Sequence, residues 1–379
     1  MKLEDLRGDI DRIDARIVAL LSERMEKALL TKRFKKATLD EGREQAVLAA
    51  VAARSACLAE PAFTEGLYRA IMAESRRMQE RGLSLLGFQG VHGAYSDAAA
   101  RAWLPGAATL PCKDFKDIFD GVQEGYLDYG IVPVENTLGG TVGQVNSILV
   151  NSELRIVGAV DLPVEHCLLA LPGQDHRDIR YAYSHPQALA QCRRFLERNR
   201  LDGISYFDTA GSARMLAEER PRSTAAIAGR FAAELYGLEI IKEGIQDAAT
   251  NRTRFFVLAK EGSAAAEQAI AAAEATAIAG GTGKQAEESA SPAPILRKCS
   301  AVFSTDDKAG TLFTLLEVFA KAGINLTRIE SAPYEPGDYA MFLDFEGAEG
   351  DEAVKKAIAQ AKGLASSFRL LGAYLERKL

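Results

Sequence analysis

The sequence predicts three folded domains: an all-helical module over residues 1–82, a two-lobed α/β domain over 83–260 and a small α+β unit of ferredoxin-like order over 297–379. Three observations predict this. The opening residues carry apolar side chains at helical period. From Leu83 short β-rich runs alternate with helical ones, the mark of an α/β domain. Past Lys260 an Ala-, Gly-, Ser- and Glu-rich stretch at 261–296 reads as a linker, and a β-α-β-β-α-β order follows it.

In the helical module Leu3, Leu6, Ile10, Ile13, Ile17 and Leu20 step along one stripe at three- and four-residue spacing. The next position on that stripe is Arg24, and Lys35 lies further along the same side. A cation in a helix-packing seam costs several kcal/mol unless an anion meets it. Thr38 and Glu41 read as a capping box opening a second helix, whose apolar face of Val47, Leu48 and Val51 includes Glu44, next to Arg43. A third helix runs from Pro61 towards Gly82 on Phe63, Leu67, Ile71, Glu74 and Met78, with Ser75 and Gln79 bordering its stripe. Three such helices surround a polar chamber. Either interhelical ion pairs, for example Arg24 with Glu44, neutralise its cations, or an anionic ligand does.

Composition bounds the rest. The 379 residues are 47% hydrophobic, enough for several cores, and carry a formal net charge of −6, which argues against a nucleic-acid partner. No run is long and apolar enough to span a membrane, and the charged MKLEDLRGDID start is unlike a signal peptide, so the expected location is cytoplasmic. Cys57, Cys112, Cys167, Cys192 and Cys299 form no metal or redox spacing and read as reduced thiols. The four histidines show no ligand spacing, and no metal site is expected.

In the α/β region LSLLGFQG, ATLPCKD, YGIVPVEN, LRIVGAVDL, HCLLALPG, IRYAYS, GISYFD, TAAIAG, LEIIKEG and TRFFVLAK read as strands. QALAQCRRFLERN and GSARMLAEE read as helices between them, and the sheet is expected to be largely parallel. Ligands in such folds lie at the carboxyl ends of strands. The residues there are Gly90, Gly93, Tyr95 and Ser96; Glu135, Asn136, Thr137, Gly139 and Gly140; Ser184, His185, Pro186 and Gln187; and Asp208, Thr209 and Ala210. Taken singly each serves equally well as a turn or helix-cap residue.

Three stretches carry family resemblances. Arg7 in LRGDID, Arg24 in LLSERMEK, Lys35, Asp40, Arg43-Glu44, and Ser75 and Gln79 in AESRRMQ resemble the active-site positions of the all-helical chorismate mutase domain. The resemblance implies rearrangement of chorismate, with arginines on its carboxylates, Lys35 and Gln79 on the ether oxygen and Glu44 orienting the substrate. It also implies two intertwined chains, the partner supplying the arginine equivalent to Arg7. GVHGAYS, PVENTLGGTV, EHCLLA, SHPQALAQC, FDTAGSA, LYGLEII and above all NRTRFFVLAK resemble prephenate dehydratase. That implies a periplasmic-binding-protein-like fold with Thr253 as catalytic residue. Asn136, Ser184, Gln191 and Thr209 match other cleft positions; Thr137, Gln187, Arg254 and Phe255 complete the expected substrate site. INLTRIES at the end of the chain resembles the ACT domain. This implies phenylalanine bound near Gly310, Leu312, Asn325, Leu326, Glu330 and Ser331, although Ala332 stands where regulatory dehydratases commonly carry arginine.

The expected whole is a bifunctional homodimer or homotetramer that needs no cofactor and converts chorismate through prephenate to phenylpyruvate, with phenylalanine as effector. Two other readings stand beside it: a two-lobed ligand sensor, and a dehydratase whose helical module serves only dimerisation. The long linker, unlike the family's shorter connection, leads one to expect loose coupling between the flanking domains.

Overall fold

The computed structural model describes residues 3–35, 37–55, 58–280, 295–335 and 338–379. The chain divides into two compact units, residues 1–85 with 106–110 and residues 86–105 with 111–379.

The first unit holds α1 (Leu3–Thr31), α2 (Glu41–Arg54) and α3 (Pro61–Glu80). Asp40, rather than Thr38, caps α2: the helix starts two residues later than expected, at Glu41, so the Asp40 carboxylate is the acceptor that reaches the Arg43 amide, at 2.9 Å. Pro61 occupies the first turn of α3, where its missing N–H has no helical partner to lose. Leu29, Leu48, Ile71 and Met72 are buried where the helices meet. The upstream stripe of α1 is not: Ile10, Ile13 and Leu20 are 55%, 54% and 61% exposed.

The chain beyond α3 begins with a lobe of β1 (Leu85–Gln89), α4 (Tyr95–Trp103), β2 (Ala108–Cys112), α5 (Phe115–Gln123), β3 (Tyr129–Asn136), β4 (Gly140–Thr141), α6 (Gly143–Asn151) and β5 (Leu154–Pro163). A second lobe follows: β6 (Cys167–Ala170), β7 (Tyr181–Ser184), α7 (Pro186–Gln191), α8 (Arg193–Asn199), β8 (Asp202–Ser205), α9 (Thr209–Glu219), β9 (Thr224–Ala228), α10 (Arg230–Tyr236) and β10 (Glu239–Lys242). The chain then returns to the first lobe as β11 (Arg252–Lys260) and α11 (Ala264–Gly280). The single helix expected over QALAQCRRFLERN is broken at Cys192 into α7 and α8.

Both sheets are more mixed than expected. Because β11 re-enters from the second lobe, it runs antiparallel between β3 and β5, although β1 and β3 are parallel. The second sheet, ordered β10-β6-β9-β7-β8, keeps β7 parallel to β8 and β9 and adds β6 and β10 antiparallel. Phe255 to Ala259 of β11 are buried throughout, as a central strand covered on both faces requires.

The C-terminal module is β12 (Ile295–Ser304), α12 (Thr311–Lys321), β13 (Leu326–Glu335), β14 (Asp338–Glu346), α13 (Glu352–Leu364) and β15 (Ser367–Lys378). Its core packs Phe303, Leu315, Phe319, Leu343, Phe345 and Val354. It does not hang loosely. The end of β15 pairs in parallel with β5, from Glu376 opposite Ala159 to Lys378 opposite Asp161. Arg369 donates to the carbonyls of Leu149 and Val150 at 2.9 Å, and Arg377 to Trp103 O at 3.1 Å, so two cations sit at the negative ends of α6 and α4. In the expected linker, α11 packs on the first lobe, where Ala266 is buried and Tyr129 Oη donates to Ala265 O at 2.8 Å. Residues 281–294, like Cys57 in the helical unit, lie outside the described residues. The expectation of loose coupling is therefore corrected: docking is carried by β15 and its arginines, which linker composition does not encode.

At Gly372 β15 lies hard against β5, its neighbour in the same sheet. A Cβ there would lie 2.1 Å from the carbonyl oxygen of Ile156, and that obstacle is backbone. Gly372→Ala is expected to cost about 3 kcal/mol, the upper end of over-packing penalties. Calorimetric unfolding measures it, and an unchanged midpoint would show that the junction yields freely.

Candidate active sites

Between the two lobes lies a cavity of about 880 Å³, lined by Tyr95, Lys113, Asn136, His166, Gln187, Gln191, Asp208, Thr209, Asn251 and Thr253 among others. Thr253 stands on β11 opposite Asn136 on β3, the two being paired in register. A chain of side-chain hydrogen bonds starts from them and has a defined direction. Leu138 N and Gly139 N donate to Asn136 Oδ1 at 3.1 and 2.7 Å, so the other end of that amide is the donor. Asn136 Nδ2 lies 2.9 Å from Thr253 Oγ1, 2.9 Å from Asn251 Oδ1 and 3.0 Å from Arg252 O, two protons shared among three acceptors. Thr253 thus accepts from Asn136, and its own proton is left to donate elsewhere.

The same polarity runs onward. Asn251 Nδ2 donates to Gln191 Oε1 at 3.3 Å, and His166 Nε2 donates to that oxygen at 2.8 Å. This fixes the imidazole as the Nε2–H tautomer, with Nδ1 facing Tyr95 Oη at 3.0 Å. Burial holds His166 below the ordinary imidazole pKa, which favours the neutral ring. Burial also pushes the Cys192 thiol up to about 12, so no reactive thiolate forms there.

Asn136, Gln187, Gln191, Thr209 and Thr253 line the cavity; four other expected substrate residues do not. Thr137 accepts from Arg252 N at 2.9 Å and donates to Thr250 O at 3.0 Å, stapling the entry to β11. Ser184 is fully buried and donates to Ile227 O at 2.7 Å inside the second sheet. Phe255 is core, 1% exposed. Arg254, expected to hold a substrate carboxylate, points to the opposite face of β11, because successive strand side chains alternate. There it binds Asp344 and Glu376 of the C-terminal module. Lys113, His166 and Asn251 enter the cavity without having been expected as site residues, while Tyr95 and Asp208 had been expected only as strand-end candidates. Asn251 opens the NRTRF segment and His166 lies in EHCLLA, so each had a signal close by.

In the helical unit Arg24 Nη1 donates to Ser75 Oγ at 2.8 Å, while Ser75 gives its proton to Ile71 O at 2.8 Å. Among the described residues no carboxylate pairs with Arg24. The proposed Arg24–Glu44 pair is absent because Glu44 is taken by Arg76. Gln79 is buried and uses its amide on Ala28 O and, at 3.1 Å, on Thr31 Oγ1, so it must turn to serve a ligand. Arg7, Lys35, Asp40 and Arg43 are exposed in this single chain, with Asp40 engaged as the α2 cap.

In the C-terminal module Gly310 caps α12 with a φ of 89°. Leu312 and Leu326 pack on the core, Glu330 pairs with Arg328 at 2.6 Å, and Ser331 is exposed. The Asn325 carbonyl accepts from Glu346 N at 3.0 Å. Ala332 is 5% exposed.

The fold and cleft define a two-lobed α/β enzyme fused to a small α+β module. Three family models match in succession: chorismate mutase type II over residues 6–80, prephenate dehydratase over 86–263 and the ACT domain over 300–363. Arogenate dehydratase/prephenate dehydratase 2, chloroplastic, of Arabidopsis thaliana is 37% identical over 300 residues, covering 76% of this chain and 72% of that protein. Arogenate dehydratase 2 of Petunia hybrida is 35% identical, covering 80% and 74%. The structure of prephenate dehydratase in complex with L-Phe from Arthrobacter aurescens superposes with a TM-score of 0.62 at 29% identity, over 76% of this chain and 89% of that one. The structure of GqqA, described as a novel type of quorum quenching acylase, gives 0.63 at 32%, over 76% and 97%.

The chain belongs to the prephenate dehydratase family. Its mutase and dehydratase domains make it an isomerase and a lyase of phenylalanine biosynthesis. No helix among the described residues is long and apolar enough to cross a membrane.

Proposed function

We propose that the chain rearranges chorismate to prephenate in its helical domain, converts prephenate to phenylpyruvate in the cleft, and is inhibited by phenylalanine at the C-terminal module. The domains are taken as 1–82, 83–260 and 297–379 with a linker at 261–296. One observation carries the dehydratase reading: Thr253 is held as a hydrogen-bond acceptor by Asn136, so its hydroxyl proton is free to donate into the cleft.

That is the help prephenate needs. Its ring carboxylate leaves as carbon dioxide, the released electron pair completes the aromatic ring, and the ring C–O bond breaks to expel hydroxide. Thr253 donates a hydrogen bond to the departing oxygen, a positioned donor rather than a strong acid. Lys113, on the rim, is the cation for a substrate carboxylate. An acylase reading, raised by the likeness to GqqA, needs a base on the hydroxyl. Here Thr253 meets an amide, and His166 is engaged by Tyr95 and Gln191.

In the helical domain a concerted rearrangement needs an extended dianion held folded, with no acid–base pair. Arg24, with no carboxylate partner among the described residues, supplies a fork for a carboxylate. Lys35 and a turned Gln79 serve the ether oxygen, and Glu44, Arg43 and Ser75 complete the wall. The exposed α1 stripe supports association of two chains, since burying each such aliphatic gains about 1.5–3 kcal/mol. The partner chain then brings its own Arg7. Buried thiols such as Cys167, Cys192 and Cys299 suit a reducing, cytoplasmic setting.

Supplying prephenate and arogenate separately to purified protein tests the cleft assignment. Turnover of prephenate is expected. Turnover of arogenate alone would reassign the substrate, and turnover of neither would remove the dehydratase reading.

A further inference from the structure

Arg254 follows Thr253 on β11 but faces the C-terminal module. Its side chain is 10% exposed, and it is bound by Asp344 of β14 and Glu376 of β15. Its Nη2 donates to Tyr374 Oη at 3.0 Å, and its plane lies 4.9 Å from the Phe256 ring centre. These partners are themselves held. Lys298 Nζ donates to Glu376 at 2.6 Å, Ser300 Oγ donates to Asp344 at 2.6 Å, and Arg328 lies 3.8 Å from Asp344. Every hydrogen-bonding anchor of the Arg254 guanidinium thus comes from the C-terminal module, while its backbone belongs to the strand that carries the cleft hydroxyl.

A buried guanidinium separated from its carboxylates is left as an unpaired charge, which is strongly unfavourable. The backbone at 253–254 must therefore follow β14 and β15. The pairing of β11 with β3 also shifts register between Arg254 and Phe255, directly beside the Thr253–Asn136 pair. Such irregularities re-aim neighbouring side chains.

We propose that Arg254 is a positioning residue for Thr253, anchored by Asp344 and Glu376, so that the module expected to bind the effector sets the aim of the cleft hydroxyl. This rests on the reading of Thr253 as donor to the leaving group. It gives regulation a physical link: an effector that binds one placement of β14 and β15 more tightly than another changes Thr253 by the same coupling.

Glu376→Gln, Asp344→Asn, Arg254→Lys and Arg254→Met in the full-length protein test it, with prephenate as substrate. Glu376→Gln and Asp344→Asn are expected to lower kcat about tenfold and leave KM within about twofold, because aim rather than substrate binding is lost. Arg254→Lys is expected to retain more kcat than Arg254→Met. Chorismate turnover in the same samples should be unchanged, which reports intact protein. Parent-like kcat in folded variants overturns the proposal, as does a loss confined to KM or no advantage of lysine over methionine. A parent that leaves prephenate untouched overturns the Thr253 reading, and the positioning role with it. An active parent with unaffected variants overturns the positioning role alone.

Discussion

Thr253→Ala removes most dehydratase turnover: with the cleft donor deleted, kcat on prephenate is expected to fall by about 10²–10³, the range for losing one preorganised donor to a developing oxyanion. Asn136 Nδ2 then has two acceptors instead of three, Asn251 Oδ1 and Arg252 O, so the hydrogen-bond chain beyond it should survive. The loss therefore falls on chemistry rather than folding. Thr253→Ser keeps the hydroxyl at the same strand position and should keep a sizeable part of the rate. Steady-state assays with supplied prephenate measure both variants. An alanine variant as active as the parent would remove Thr253 from the reaction.

The second large effect is expected in the helical unit. Arg24→Ala deletes the cation at the α1–α3 seam and the bond to Ser75. Loss of a charge-assisted carboxylate contact costs about 2–4 kcal/mol in the transition state, so mutase turnover should drop thirtyfold or more. Dehydratase turnover should persist, because the two sites lie in separate compact units. Arg24→Lys keeps the charge without the bidentate fork and should recover only part of the rate. Unchanged mutase activity in Arg24→Ala would make Arg24 a packing residue. Joint loss of both activities in folded protein would mean the sites are not independent.

Periodicity located both regions, and the family resemblances around Arg24 and Thr253 supplied the expected chemistry. Neither could say where a polar side chain ends. Arg254 is an instance: a cation beside the expected catalytic residue reads as a substrate ligand, yet strand alternation turns it to the other face. Its partners, Asp344 and Glu376, lie 90 and 122 residues away, beyond any local pattern. Glu44 and Arg24 share a plausible seam, but Arg76, one residue past Ser75, takes the carboxylate. Asp40, expected among the substrate-binding residues, also caps α2 from the position just before it.

Other parts were legible only as fragments. His166 and Asn251 each sit in a segment the sequence singled out. Their bonds to Gln191 arise because the chain leaves the first lobe through β5, returns through β11, and brings both crossover segments to one cleft. Local propensity holds no trace of that route. The docking of β15 on β5 was hidden in the same way: Gly372 reads as an ordinary strand glycine until Ile156 O is placed against it.

The coupled reaction offers the most direct measurement. Purified full-length protein is given chorismate alone, and chorismate, prephenate and phenylpyruvate are followed together in time. Prephenate should rise and then give way to phenylpyruvate, while Thr253→Ala should stop at prephenate. Chorismate left intact by the parent would show that the helical domain is no mutase, and prephenate that accumulates without phenylpyruvate in the parent would show that the cleft is no prephenate dehydratase.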